Sequence, residues 1–237
     1  MATHEGSTRI GNLLFNAFSP DVREAFLNAG QFRSIVPGME YVGLGDEVRW
    51  TFFATHGALS ILAQPDDETT VEASTVGREG AADAFAALGA LRARHRSIGQ
   101  IEGEMLVMDA KILLEQVSQP GRTQTLLFSY IQALYCQAAI SVACIAKHPV
   151  SRRAARWLLQ SHDCVDSDTF GLKQEFLAYM LGVRRPSVSL AANTLKSAEL
   201  IDYTRGIITI VDRMELENAA CACYEQIRKQ YSELVDL

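Results

Sequence analysis

The spacing of apolar residues changes period several times along the chain, and each change marks an element. Residues 8–30 carry Ile10, Leu13, Leu14, Phe15 and Phe18 at helical spacing, and Ser19-Pro20-Asp21 breaks that pattern and starts a second short helix. From residue 31 to 76, short β-favouring runs (32–36, 41–42, 48–54, 58–62 and 69–74) alternate with turn residues at Pro37-Gly38, 43–46, His56-Gly57 and 64–67. Regular short strands predict a small β-barrel or sandwich, with an isolated antiparallel sheet as the alternative. The alanine-rich residues 81–91 read as helix, 97–102 and 104–109 as two further strands, and 109–117 as a short helix stopped by Gln119-Pro120-Gly121.

Residues 122–147 then hold a helical pattern for about seven turns. Leu127, Tyr130, Leu134, Ala138, Ser141 and Ile145 recur at three- and four-residue steps. Such a helix suits a two-stranded contact across a dimer axis; a helix buried within its own domain is the alternative. His148-Pro149-Val150 reads as a hinge, because proline disfavours helix in the residue before it. Ser151 is expected to cap the next helix, to about residue 162, with Arg152, Arg153 and Arg156 outward and Ala154, Ala155, Trp157, Leu158 and Leu159 inward. Residues 163–170 read as a polar loop, and 214–234 as a last amphipathic helix through Leu216, Ala220, Cys223, Ile227 and Leu234.

Residues 174–211 organise the remainder. A helix over about 172–181 presents Leu177, Ala178 and Leu181 on one face, and Ala178 is small enough for a second helix to come close. Gly182 ends it where a positive φ is needed. The second helix opens at Arg184-Arg185-Pro186-Ser187, with proline tolerated in a first turn. Val188, Ala191, Ala192 and Leu195 should face the core, leaving Arg185, Ser189, Leu190 and Asn193 outside. Residues 200–203, 204–206 and 207–211 read as strand, turn, strand. Any helical hairpin shares this periodicity, but the small residue, glycine turn, basic helix start and following hairpin together describe a winged helix-turn-helix. A recognition helix enters the major groove by its N-terminal end. The candidate DNA contacts are therefore Arg184, Arg185, Ser187, Ser189, Leu190, Asn193 and Lys196, with Lys173 and Arg205 nearer the phosphates.

Composition narrows the choice. At 237 residues, nearly half hydrophobic, the chain can bury one large or two ordinary cores. The net charge of −6 excludes a coat of positive charge but not a local basic surface at Lys173, Arg184, Arg185, Lys196 and Arg205. Residues 1–11 are polar, without the apolar segment of a signal peptide, and no uninterrupted apolar run reaches membrane-spanning length, so a cytoplasmic protein with no membrane partner is expected. The five cysteines lack a paired framework and read as reduced thiols. Cys221-Ala222-Cys223 would hold its thiols on different faces of a helix, poorly placed for a disulfide or one metal; His162 and Cys164 could join a thiol site. No catalytic constellation is visible. An enzyme is not expected, and neither is a metal or cofactor; a single-histidine haem at His56 or His95 stays open.

The order of barrel, long helix, hinge and winged helix-turn-helix resembles the Crp/Fnr family of bacterial transcription regulators. The resemblance runs from about residue 12 to 211 and is strongest over 174–188 and 201–211, with residues 76–80 and Arg96-Ser97-Ile98 similar to members whose effector is unknown. It implies an α+β fold: an N-terminal cyclic-nucleotide-binding-like β-barrel of jelly-roll type (a double-stranded β-helix) over 1–120, a dimerisation helix over 121–147 and a winged helix-turn-helix with a C-terminal helix over 148–237. It also implies a homodimer on a palindromic operator in double-stranded DNA, with RNA polymerase as a further partner. Cyclic-nucleotide-binding members carry Gly-Glu, then Arg-Ser or Arg-Thr followed by alanine. Here Ala81-Ala82 stand for Gly-Glu, Arg96 and Ser97 match the later half as effector-binding candidates, and Ile98 replaces the alanine. On the long helix Ala138 and Ala139 replace the hydroxyl residues that meet the base. A nucleotide would be left with unsatisfied polar groups, so cyclic AMP is not the expected effector; Arg96 is expected in a surface ion pair. The N-terminal cysteine cluster of oxygen-sensing members is missing, since the first cysteine is Cys136. Along the recognition helix the usual arginine, glutamate and arginine become Arg185, Pro186 and Leu190, so the operator is expected to differ. The competing function is a small-molecule-binding regulatory protein acting through protein contacts, supported by the negative net charge and the missing second arginine.

Overall fold

The computed structural model describes residues 9–65, 70–90 and 92–234; the second half of the turn expected over 64–67 lies outside them. Helices α1 (Leu13–Ala17) and α2 (Pro20–Ala29) open the chain, separated at Ser19 as the proline implied. A six-stranded antiparallel sheet follows: β1 (Gln31–Ile35), β2 (Glu40–Val42), β3 (Trp50–Ala63), β4 (Val71–Val76), β5 (Ala81–Ala82) and β6 (Arg96–Asp109). The long strands β3 and β6 pair along most of their length. At one end they are flanked by β1 and β5, at the other by β2 and β4. This arrangement agrees with the expected jelly-roll type of fold, and the pairings form no closed ring among the described residues.

One expected turn, at His56-Gly57, and one expected gap between strands, at Gly103, are in fact bends inside continuous strands. The register of β3 against β6 shifts between Ala54 and Leu59, around Gly57 at φ +79°. Bulges of this kind re-aim a strand without ending it. Gly103, facing the bend from β6, allows the close approach: a Cβ there would sit 2.1 Å from the His56 carbonyl oxygen. Gly103→Ala is expected to lower stability by about 1–3 kcal/mol, read as a lower urea midpoint. An unchanged midpoint would show that the two strands can part at no cost.

Residues 81–90 are not the helix their alanines suggested. Ala81 and Ala82 pair with Phe53 and Phe52, and a 3-10 turn covers Ala84–Leu88. The Tyr130 hydroxyl accepts from Ala81 N–H and donates to its carbonyl, both at 2.9 Å, holding that backbone extended. Helix α3 (Ala110–Val117), capped by Asp109, leads to α4 (Arg122–Lys147).

Helix α4 is long and apolar enough to pass for a membrane span by length and composition, against the sequence expectation. One face of it is packed within the chain. Leu127, Tyr130, Leu134 and Ser141, expected at a dimer seam, are buried there, and Ala138 is half-buried. Only Ile145 of that set is exposed. The reason is a chain end that returns: α9 (Cys223–Ser232) packs on α4, with the Tyr231 and Tyr130 rings 6.1 Å apart and the Tyr231 hydroxyl donating to Gln137. The outward face of α4 carries Phe128, Tyr135, Val142 and Ile145 instead.

Helix α5 (Val150–Asp163) starts at the hinge with Pro149, not Ser151, in the capping position. Arg152 is exposed as expected, but Arg153 and Arg156 are buried. Arg153 Nη1 donates to the Leu181 carbonyl at 2.7 Å and Arg156 Nη1 to Gln160 Oε1 at 2.6 Å. Trp157, almost fully buried, joins α5 to the sheet in one core shared with Ala58, Leu62, Ile98 and Ile101.

Candidate nucleic-acid interface

The predicted two-helix unit is formed by α6 (Gln174–Leu181) and α7 (Arg185–Ser197). Gly182 ends α6 at φ +57°, its N–H donating to Tyr179 and that of Val183 to Ala178. This six-to-one closure with a left-handed residue turns the chain sharply. Val183 packs against the core, as a corner plug must. On α7, Val188, Ala191, Ala192 and Leu195 are buried against α5 and α6, as their spacing predicted.

The opposite side of α7 faces outward. Arg184, Arg185, Pro186 and Asn193 are exposed, Leu190 is 71 % exposed, and Ser187 and Ser189 are half-buried. No carboxylate lies in the first turn of α7, so the positive end of the helix dipole and Arg184/Arg185 act together on any anion that approaches. Arg185 Nη2 stands 3.3 Å from Glu175 Oε1, an exposed pair that can open toward a base edge. Lys173 caps α6 and is exposed.

The wing is a three-stranded sheet, β7 (Thr169–Gly171), β9 (Ile207–Ile210) and β8 (Ile201–Thr204), in spatial order β7-β9-β8. Its β8–β9 turn has Arg205 at φ +52° and Gly206 at φ +81°. Positive φ at both central residues is the primed turn that matches strand twist, and it sets the exposed Arg205 at the wing tip. Strand β7 was read as loop; three residues with one apolar side chain give no alternation to detect. Lys196 is already engaged, with Nζ 2.6 Å from Asp202 Oδ1, and this hydrogen bond holds the Asp202 carboxyl below the usual carboxylate range. Its contact with a phosphate would replace that pair.

The effector candidates are drawn to carboxylates of the chain itself. Arg96 pairs with Glu40, as expected. Ser97 donates to Asp83 Oδ2 at 2.8 Å, and His95 Nε2 lies 2.9 Å from Asp83 Oδ1. Asp83 is 1 % exposed and sits at φ +59°. A buried carboxylate therefore already takes up the groups that an incoming phosphate would need. His56, the other haem candidate, stands 3.5 Å from Asp166.

The expectation for Cys221-Ala222-Cys223 is corrected. The chain breaks between α8 (Arg213–Ala219) and α9, so the two thiols are not on one helix. They converge with Cys144 and His148 instead, all four ligand atoms within 4.8 Å of one another. His162 and Cys164 do not join them: His162 pairs with Asp168, and Cys164 Sγ points to the Gln160 carbonyl at 3.1 Å.

Residues 152–219 match the Crp-like helix-turn-helix domain. The whole fold is similar to that of FixK2 from Bradyrhizobium japonicum, with a TM-score of 0.68 at 14% identity over 81% of this chain and 98% of that one. It is likewise similar to a CRP-family transcriptional regulator from Thermus thermophilus (TM-score 0.65, 15% identity, 79% of this chain and 96% of that one). A third similar structure is CLP, the c-di-GMP responsive global regulator of Xanthomonas campestris (TM-score 0.62, 14% identity, 81% and 99%). No curated protein sequence matches the chain.

Proposed function

We propose that this chain is a member of the Crp/Fnr family, on the Crp-like helix-turn-helix domain matched over residues 152–219 and the fold it shares with such regulators, and that it acts as a cytoplasmic, homodimeric transcriptional regulator that reads a palindromic operator. The carrying observation is the division of α7: Val188, Ala191, Ala192 and Leu195 lie in the core while Arg184, Arg185, Leu190 and Asn193 stand outside. Arg185 reads a guanine edge, Leu190 meets a thymine methyl, and Arg184, Ser187, Ser189, Asn193 and Lys196 contact the adjoining bases and backbone. Lys173 and Arg205 hold phosphates on either side. Residues 1–120 form the sensor, residues 121–147 the dimerisation helix and residues 148–237 the DNA-binding part; RNA polymerase is the downstream partner.

Pairing between two chains uses the outward stripe of α4. Phe128, Tyr135 and Val142 are exposed and recur every seven residues, with the half-buried Ala138 and the exposed Ile145 beside them. A seven-residue apolar repeat is the seam of a two-stranded contact. The sensor does not take a cyclic nucleotide by the familiar cassette, because Asp83 repels an anion at Ser97 and His95.

Sequencing the DNA retained by the purified chain, followed by salt-dependent gel shift, tests this. Arg185→Ala is expected to cost about 1–3 kcal/mol on the best site and relax preference at one base pair. Lys196→Ala should weaken all duplexes alike and flatten the salt dependence. Retention of random duplexes with no enriched site would favour the protein-contact reading instead.

A further inference from the structure

Outside the helix-turn-helix, one side-chain cluster has a composition that packing does not explain. Cys144 lies in the last turns of α4, His148 closes that helix, Cys221 lies between α8 and α9, and Cys223 opens α9. Cys144 Sγ is 3.5 Å from Cys221 Sγ, and Cys223 Sγ is 3.6 Å from His148 Nδ1. The three thiols are buried and the imidazole is half-buried. A tetrahedron with bonds of about 2.3 Å to sulfur and 2.0 Å to nitrogen has edges of about 3.5–3.8 Å. Two of the edges already have that length, and all four ligand atoms lie within 4.8 Å of one another, so a small inward movement of the side chains completes a four-ligand shell. The Cys144–Cys221 separation is far from the ~2.0 Å of a disulfide, and a bond there would leave Cys223 and His148 without a role.

A second observation concerns charge. Arg153 and Arg156, both buried, lie close enough to act electrostatically on these sulfurs, and the Nε atoms of both have no hydrogen-bond partner among the described residues. Buried guanidinium groups call for a compensating negative charge. Three thiolates around a divalent ion leave one net negative charge at that place; three neutral thiols leave none.

We propose that Cys144, His148, Cys221 and Cys223 form a closed Cys3His zinc site that staples the C-terminal end of α4 to the α8–α9 junction. Soft thiolates with one imidazole in a tetrahedron select Zn2+, and four protein ligands leave no open position, so the site is structural. Ligation displaces three thiol protons to solvent and moves no electrons. The ligands lie on both sides of the α4–α5 hinge in sequence, at residues 144 and 148 before Pro149 and at 221 and 223 after the wing. The metal thereby fixes the angle at which the helix-turn-helix leaves the long helix.

The full chain, purified without a metal-binding tag under reducing conditions from zinc-replete cells, is the material for the test. Elemental analysis and native mass spectrometry are expected to find one zinc per chain, retained through gel filtration. Cobalt exchanged into the site should give the thiolate-to-metal charge-transfer band and intense visible bands of tetrahedral Co2+. Cys223→Ser should lose the metal and melt at lower temperature. His148→Cys should keep one metal and shift the cobalt spectrum to that of four thiolates, a gain that does not depend on a folding defect. A chain that takes up no stoichiometric zinc on reconstitution, that carries iron instead, or whose zinc survives unchanged in Cys223→Ser and Cys221→Ser would overturn the proposal. Metal content and melting read the site by themselves. Any change in operator affinity on metal removal rests in addition on the proposed DNA reading.

Discussion

A chain carrying Tyr135→Glu together with Val142→Glu is expected to sediment as a monomer and to bind the operator roughly 10²–10⁴-fold more weakly than the parent, because the second half-site contact is no longer intramolecular. Both side chains are free to accept the change: Tyr135 is 69 % and Val142 70 % exposed. An exposed apolar stripe of this kind suits the pairing proposed above. Leu127→Glu provides the contrast. Leu127 is fully buried against the chain's own core, so that substitution should abolish folding, where the stripe variant should keep its melting temperature. A Tyr135/Val142 variant that still sediments as a dimer would move the pairing surface elsewhere on the molecule.

The same helix shows what the sequence could and could not tell. Its ends were legible because Pro120-Gly121 and His148-Pro149 punctuate it. Its faces were not. A helix packed on its own sheet on one side and unpartnered on the other carries apolar residues nearly all round, and the more strongly hydrophobic stripe, Leu127, Tyr130 and Leu134, belongs to the interior. Glycine was equally ambiguous in β3 and β6. Gly57 read as a turn and Gly103 as a gap between two strands, yet they are the places where two continuous strands bend past each other. Alanine at 81 and 82 indicated helix by propensity, and the Tyr130 hydroxyl overrode it.

The helix-turn-helix itself was legible nearly residue by residue. Its signals are local: Gly182 at the turn, Pro186 in the first turn of α7, four apolar positions at helical spacing. The thiol–imidazole quartet was not legible, for the opposite reason. Its ligands are up to 79 residues apart in sequence, from Cys144 to Cys223 (223 − 144), and the break before α9 that turns Cys221 and Cys223 together has no glycine or proline to announce it. Arg153 and Arg156 misled in the same way, since arginine on an amphipathic helix reads as surface until the acceptor, here the Leu181 carbonyl or Gln160, is known.

Trp157→Ala is expected to cost about 3–5 kcal/mol of stability, read by denaturant unfolding, and to free the helix-turn-helix from the sheet. Trp157 packs with residues of both, and its Nε1 donates to Glu72 Oε1 at 3.1 Å. Glu72 is 8 % exposed, and burial pushes its carboxyl above the usual range. Its partners suit the neutral acid. Oε1 accepts from Thr75 and Trp157, while Oε2, 2.7 Å from Ser60 Oγ, can donate to a hydroxyl that itself donates to Gln100 Oε1 at 2.8 Å. The folded chain therefore holds this proton more tightly than the unfolded chain. Its contribution is complete below the ordinary carboxylate pKa and declines as pH rises through the window up to the raised value, by about 1.4 kcal/mol per pH unit within it. Glu72→Gln keeps the shape and removes the titration, so it should flatten that decline and leave the chain more stable than the parent above the window. Trp157→Ala should lower stability at every pH. A Glu72→Gln chain with the parent's pH slope would assign the decline to another group and leave the carboxyl ionised at the junction between sheet and helix-turn-helix.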